Sequence, residues 1–444
     1  MNIPIRTQFT IFILGLGLGV FLPQIQAQNL NRNPNMRLEA MGLEIGSRLP
    51  DSLEVYDANG YKMKVADLFQ NNYTVIVSGC LTCPVFLRTY PGVEAAYHDY
   101  GDKGVDFYYL YKTLAHPENH GYIQPITIEE RLAHIAVAKD KLQTKIPWLA
   151  DPMTNEVSSA FGLTPNSEFL FDNEGHILYM NTWSDADALR RTLIELVGPV
   201  TKTSTIESLD LPKVLPMSTP SEEVVTRITV NETLIPIMVH PEEDDATYYV
   251  KLRVEVTSNL LQNGSGKLYL GFHLDPIHNV HWNNLVDPLA YDINVPDSTS
   301  INESRGIAPL INQPSDTDPR EFLIEVDNWK SVDPLPIEVT YYACDEDDKW
   351  CKLIVQNYTL TLDPDPYAGR VIGRSFRSRS RDRMMQERNN IVERMMSFDT
   401  NQDGLLSKDE VPERMRMRFN MIDVDNDGFL SKDEISAMRR RSPR

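Results

Sequence analysis

Residues Tyr73 to Pro91 read YTVIVSGCLTCPVFLRTYP, and this stretch decides the fold. It opens on Val75-Ile76-Val77, a β-branched apolar run of the kind that makes a buried strand. Gly79 breaks the run. Cys80 and Cys83 follow in C-x-x-C spacing, then Pro84 and a helix-compatible segment. Two cysteines so spaced close a disulfide with little backbone movement. A helix start beneath them favours a thiolate, because its free N–H groups and partial positive charge stabilise the anion. Strand, C-x-x-C, then helix predicts a redox site whose thiolate attacks a disulfide, a peroxide or another oxidised substrate. A half zinc site and a structural disulfide are the alternatives. Zinc needs two more ligands at similar spacing, and none lies nearby.

At 444 residues the chain is long enough for two to four domains. A net charge of −20 argues against nucleic acid as partner and suits cation binding. The four cysteines form two close pairs, Cys80/Cys83 and Cys344/Cys351, which suits two dithiol/disulfide units better than a disulfide-dense scaffold. Arg6 precedes an apolar run from Phe9 to Leu22, too short for a comfortable membrane span, and Ala27 supplies a small residue for cleavage. Residues 1–27 therefore read as a signal peptide. The expectation is a secreted or periplasmic chain that does not span the membrane, in a compartment where disulfides persist.

Around the C-x-x-C the chain alternates strand and helix. Leu53 to Tyr56 and Lys62 to Val65 read as strands about an Asn59-Gly60 turn. Val105 to Tyr111 is a strand, and Thr127-Ile128-Glu129-Glu130 is a capping box opening a helix to about Lys141. Pro147 to Leu149 is extended, Val157 to Phe161 a short helix, and Glu168 to Phe171 and His176 to Met180 a strand pair. Asp185 to Val197 is a last helix with Ser184 as N-cap. Residues 201–224, rich in Thr, Ser and Pro, read as a linker.

Cys80-Leu81-Thr82-Cys83-Pro84 after a strand, with Thr164-Pro165 before FLFDNEG, resembles the thioredoxin superfamily in its larger redoxin form, over about residues 46–200. The resemblance implies that Pro165 is cis against the dithiol, that Cys80 is the nucleophile and that Cys83 is the resolver. Thr82-Cys83-Pro84-Val85-Phe86 also resembles the selenocysteine motif of iodothyronine deiodinases, with Cys83 at the selenocysteine position. Tyr111, Ala115-His116-Pro117, Glu130-Arg131-Leu132 and Asp151 to Asn155 are similar to that family too. This implies that His116 shuttles protons near Cys83; read alone, it is a surface-loop histidine. Thr113-Leu114 stands in place of the family's acidic pair, and Pro125 in place of its second histidine, so general thiol chemistry is expected rather than deiodination. His120 and His134 read as ordinary histidines.

Residues 225–363 change character. Val250 to Val256 alternates strictly, apolar inward and charged outward. Further strands read Ile228 to Val239, Lys267 to Leu274, Phe322 to Val326, Ile337 to Ala343 and Leu353 to Leu362, which makes a β-sandwich. VTYYACDEDDKWCKLIVQNYTLTL resembles the amino-terminal periplasmic domain of the bacterial thiol:disulfide interchange protein DsbD. That implies an immunoglobulin-like sandwich whose hairpin pair, Cys344/Cys351, passes electrons; a structural disulfide stapling the hairpin is the alternative. His273, His278 and His281 cluster in sequence but match no metal spacing.

Residues 364–386 read as a second, Pro- then Arg/Ser-rich linker. Residues 387–440 carry two twelve-residue EF-hand loops. In the first, Asp399, Asn401, Asp403, Leu405 (by its carbonyl), Ser407 and Glu410 are calcium ligands. In the second, Asp423, Asp425, Asp427, Phe429 (by its carbonyl), Ser431 and Glu434 take the same places. Gly404 and Gly428 make the sharp turns, and Leu406 and Leu430 pair as a small β-bridge. The chain is thus expected to be multidomain: an α/β thioredoxin fold, an all-β sandwich and a small all-α EF-hand pair.

The function expected is a secreted thiol–disulfide oxidoreductase of bacterial type with bound calcium. Its partners are protein thiols or disulfides or a small oxidised substrate, with a membrane electron donor as a candidate. The rival readings are a non-enzymatic calcium-binding extracellular scaffold and a reductive dehalogenase of iodinated aromatics.

Overall fold

The computed structural model describes residues 43–371 apart from 163, 214–217, 243–245, 346 and 348, together with 398, 405–411, 419 and 428–430. The expected signal peptide, the second linker beyond 371, and the ligands Asp399, Asn401, Asp403, Asp423, Asp425, Asp427, Ser431 and Glu434 lie outside the described residues.

A seven-stranded mixed sheet is built from β1 (Glu54–Asp57), β2 (Lys62–Lys64), β3 (Tyr73–Gly79), β4 (Val105–Tyr111), β5 (Trp148–Ala150), β6 (Glu168–Asp172) and β7 (Ile177–Asn181). Its order is β2-β1-β5-β4-β3-β6-β7. β3 runs parallel to β4, β4 parallel to β5, and β6 antiparallel to β3. Parallel neighbours need crossovers. These are α1 (Pro84–Tyr100) and α2 (Ile128–Leu142); α3 (Glu156–Ala160) and α4 (Ala186–Leu196) complete the helices. The arrangement is that of the thioredoxin fold, as expected. Alternate residues of the central strands feed two cores. Val75, Val77, Phe107, Tyr109 and Tyr111 meet Phe86 and Tyr90 of α1 on one face, while Ile76, Leu110, Phe169 and Phe171 meet Phe161 on the other. The capping box holds: Thr127 Oγ1 accepts from Glu130 N at 3.3 Å, and Glu130 Oε2 from Thr127 N at 3.4 Å. The N-cap of α4 is Asp185, not Ser184. Asp185 Oδ1 takes the N–H groups of Asp187 and Ala188, whereas the Ser184 hydroxyl is drawn to the buried Glu168 carboxylate at 2.7 Å.

The second unit is one eleven-stranded antiparallel sheet folded on itself, as a sandwich, over a common core. Its strands are β8 (Leu234–Pro241), β9 (Val250–Thr257), β10 (Gly266–Leu274), β11 (Val280–Asn283), β12 (Ala290–Ile293), β13 (Ser300–Ile301), β14 (Arg305–Ile307), β15 (Ser315–Asp316), β16 (Arg320–Asp327), β17 (Leu335–Asp345) and β18 (Cys351–Pro364). A one-and-a-half-turn helix, α5 (Ser258–Asn263), joins β9 to β10. β8 joins the two halves of the sheet: Leu234 to Pro236 pair with β9, and Ile237 to Pro241 mainly with β18. One core unites both inner faces, with Val254, Leu270 and Phe272 from one half and Val339, Tyr341 and Tyr358 from the other.

One expectation changes here. The charged face of β9 does not look into water: Lys251 and Glu255 are each only 4% exposed, Lys251 meeting Glu130 of the mixed-sheet unit and Glu255 pairing with Arg253. The segment 201–224, read as a linker, is held by hydrogen bonds to both units. Asp318 accepts the N–H groups of Glu222, Val224 and Val225, and His120 N donates to Ser218 O at 2.6 Å. Residues 365–371, the start of the expected second linker, lie against both units.

Buried ions fasten the units together. Lys251 Nζ lies 2.6 Å from Glu130 Oε2 of the mixed-sheet unit and 2.6 Å from Asp275 Oδ2 of the sandwich. Arg227 similarly bridges Glu118 at 2.7 Å and Glu321 at 2.8 Å. No helix among the described residues is long and apolar enough to cross a membrane.

Candidate redox site

The C-x-x-C follows the last residue of β3. Gly79 is needed there because a Cβ would fall on the ring of Phe86, so α1 could not seat against the strand. Cys83 is the N-cap of α1, with Pro84 at its first helical position, where a missing N–H costs nothing. The helix continues through Pro91. Both cysteines are free thiols, each 1% exposed.

The loop after β4 clamps the motif. Ala115 N donates to Cys80 Sγ at 3.3 Å, and His116 N donates to Thr82 Oγ1 at 3.1 Å. The Thr82 hydroxyl lies 3.5 Å from Cys80 Sγ. With its oxygen accepting from His116, its proton is free to turn to the sulfur. Cys80 therefore faces two donors on the atom that carries charge when it attacks. Cys83 is different. Burial pushes its thiol up to about 12, Cys80 adds to the effect, and the N–H groups of Phe86 and Val85 oppose it without prevailing. The expectation that the helix start would favour a thiolate is thus overturned at Cys83, where desolvation outweighs the helix.

Pro165 sits in the turn that straps onto the end of β3. Asn166 Nδ2 donates to Ser78 O at 2.9 Å, and the Ser78 and Ser167 hydroxyls are 3.0 Å apart. No peptide bond among the described residues is cis, which corrects the expectation for Thr164–Pro165. The Thr164 carbonyl accepts from the buried Lys112 ammonium.

The His116 imidazole is half-buried, and its Nδ1 lies 2.9 Å from the carbonyl of Arg370. Burial keeps it more readily neutral than an ordinary histidine. It is the His116 backbone that reaches the C-x-x-C. His134, read from sequence as ordinary, is the residue that was missed. It is fully buried, its Nδ1 lies 3.0 Å from the Tyr111 hydroxyl, and its Nε2 has no hydrogen-bond partner. Burial pushes its pKa down to about 4. Tyr111 is in turn held protonated by burial and by the nearby Cys80. The available signal was position: His134 shares the inward face of α2 with Arg131 and Ala138.

Cys344 and Cys351 are directly opposed across the β17–β18 hairpin and disulfide-bonded, with Cα atoms 4.1 Å apart. Next to them, Trp350 lies 5.4 Å from the Tyr249 ring, and Tyr249 lies 5.3 Å from His278. The three sandwich histidines go to different partners. His273 approaches Glu118 at 3.6 Å, His278 approaches Glu130 at 3.4 Å, and His281 Nδ1 meets its neighbour's carbonyl. Glu130, Asp275 and His278 lie close enough to hold an ion, but the Lys251 ammonium already fills the cation's place between the two carboxylates.

In the C-terminal region Leu406 pairs with Leu430, and both are fully buried, as expected for paired calcium loops. Gly428 has φ +87°, the left-handed turn the loop demands. Ser407 N and Oγ both donate to Glu410 Oε2, at 2.9 and 2.7 Å, which closes the first loop.

An EF-hand family model matches residues 391–411 and 417–438. No curated protein matches the chain. Among solved structures, a putative thiol:disulfide interchange protein DsbE from Chlorobium tepidum is similar at 14% identity, covering 35% of this chain and 99% of that one, with a TM-score of 0.29. The thioredoxin domain of a thiol-disulfide oxidoreductase from Bacteroides vulgatus matches at 18% identity over 35% of this chain and 99% of its own, with a TM-score of 0.28. A secreted Mycobacterium tuberculosis disulfide oxidoreductase matches at 11% identity over 32% and 94%, with a TM-score of 0.25.

Proposed function

We propose that the chain is a secreted or periplasmic thiol–disulfide oxidoreductase carrying a calcium-binding EF-hand pair. The observation that supports this most is the asymmetry of the C-x-x-C. Cys80 Sγ faces the Ala115 N–H and the Thr82 hydroxyl, while burial holds Cys83 protonated. Cys80 attacks a substrate disulfide; its S–S bond breaks, one substrate sulfur leaves as a thiol, and a mixed disulfide forms. The charge on Cys80 is then gone, which removes one of the causes that hold the Cys83 proton. Cys83 attacks the Cys80 sulfur, and the proton it gives up goes to the leaving substrate sulfur. The Cys80–Cys83 disulfide forms and the second substrate thiol leaves, so two enzyme thiols are oxidised and one substrate disulfide is reduced. Pro165, in the turn next to the end of β3, would flank the docked substrate.

The EF-hand ligands supply side-chain carboxylates, an amide, a hydroxyl and a backbone carbonyl, a hard-oxygen set suited to Ca²⁺. Bound calcium would fix the fold of that pair. The Cys344–Cys351 hairpin is a candidate second exchange site.

The test is trapping. Cys83→Ser is expected to accumulate a mixed disulfide with a scrambled protein substrate, and Cys80→Ser none. Trapping by Cys80→Ser alone, or by neither variant, overturns the assignment.

A further inference from the structure

Residues 365–371 leave the end of β18 and run across the loop that clamps the dithiol. Their peptide groups make contacts with both units. Arg370 N donates to Ala115 O at 2.9 Å, and the Arg370 carbonyl lies 2.9 Å from His116 Nδ1. Gln124 Nε2 donates to Tyr367 O at 3.0 Å. Arg253 of β9 donates to Ala368 O at 2.7 Å and to Gly369 O at 3.1 Å. Among its side chains, Tyr367 Oη lies 2.6 Å from Ser159 Oγ, and Asp365 Oδ1 accepts from Tyr367 N at 2.7 Å within the strap. Gly369 has φ +65°, and a Cβ there would fall on Leu114 O and crowd Pro117. The backbone thus lies directly on the loop whose Ala115 N–H touches Cys80. Beneath Tyr367 and Ala368 is a cavity of about 290 Å³, lined also by Gln124, Arg131, Arg253 and Asp365.

We infer that this groove, between the Leu114–Pro117 loop and Arg253, receives a polypeptide segment of the substrate, and that residues 365–371 occupy it in its place. The inference rests on the oxidoreductase reading and names its substrate class. Donors and acceptors directed at peptide groups recognise backbone rather than side chains, with glycine required only at the place of Gly369. An enzyme acting on disulfides in many contexts needs that. The cavity leaves room for a side chain larger than that of Ala368. With the strap seated on the loop that touches Cys80, both cysteines are 1% exposed.

Two full-chain variants test this. Gly369→Val cannot seat the strap, because of both its φ and its Cβ. Arg253→Ala removes two of the backbone anchors. Both are expected to raise the rate of Cys80 alkylation by iodoacetamide, read by mass spectrometry, at least about ten-fold. A fluorescein-labelled peptide of residues 365–371 is expected to bind Gly369→Val, but neither the unmodified chain nor Arg253→Ala. Unchanged alkylation in both variants overturns the inference. So does failure of the peptide to bind Gly369→Val, or equal binding to Arg253→Ala. Neither readout requires turnover, so failure of the trapping experiment would leave this result standing by itself.

Discussion

Lys251→Met tests whether the two units form one body. The ammonium is 4% exposed and lies 2.6 Å from a carboxylate of each unit. Methionine keeps most of the aliphatic stem, so the loss is largely that of the charge. Glu130 and Asp275 would be left buried without their shared cation. Breaking a buried pair in this way costs about 3–5 kcal/mol, a large part of a typical stability of roughly 5–15 kcal/mol. Burial works against the ionised form of Glu130, yet the His278 bond and the Lys251 charge hold it down at about 2, so the carboxylate depends on these partners. Urea unfolding of the full chain should show a midpoint lowered accordingly, and the transition of the mixed-sheet unit separating from that of the sandwich. Adding Glu130→Gln should recover about 1 kcal/mol or more, because one uncompensated charge is gone. A loss below about 1 kcal/mol in Lys251→Met, with a single unchanged transition, would refute the coupling.

Three further outcomes follow from other groups. Burial raises Glu168 to about 7, so its contribution is fully present below the ordinary carboxylate pKa and is lost as pH rises through 7. Glu168→Gln should abolish that decline, worth about 3 kcal/mol by pH 8, in denaturation midpoints measured from pH 5 to 8. His134 is depressed to about 4, so its contribution is present above the ordinary histidine pKa and is lost as pH falls through 4. His134→Leu should flatten the stability–pH slope between about pH 6.5 and 4, even though the Tyr111 hydroxyl loses its partner. Glu410→Gln and Glu434→Gln should each weaken one calcium site by about ten-fold or more in calorimetric titration, since each removes a bidentate carboxylate oxygen.

Much of the fold was legible because periodicity speaks directly of burial. The Val75-Ile76-Val77 run, the strand Val105 to Tyr111 and the capping box at Thr127 all lie where the pattern puts them. The pairing of Leu406 with Leu430 was legible from loop spacing alone. What stayed hidden depends on contacts between distant segments. The alternation of β9 says which side chains share a face, but not that Lys251 on that face meets Glu130 of the mixed-sheet unit. The short strands β11 to β15 carry too few residues for a period to register. Thr, Ser and Pro in 201–224 suggest a tether, yet the Asp318 carboxylate about a hundred residues away organises that backbone. At the site, spacing revealed Cys80 and Cys83 but not Thr82 as the link to the loop, nor His134 behind Tyr111.

The sharpest divergence is at Cys83, and magnitudes explain it. A helix start stabilises an anion by about 0.3–1 kcal/mol, and by about 2 kcal/mol in favourable buried geometry. A thiol moved from its ordinary value near 9 to about 12 reflects roughly 4 kcal/mol in the opposite direction. Desolvation must therefore dominate, with the neighbouring Cys80 as the second cause. Removing that neighbour separates the two. In Cys80→Ser, thiolate absorbance at 240 nm should still titrate Cys83 above pH 9, because the sulfur remains buried. A Cys83 titrating below about pH 8 in this variant would mean that the helix start governs the thiol after all, and that burial of the dithiol does not set which cysteine attacks.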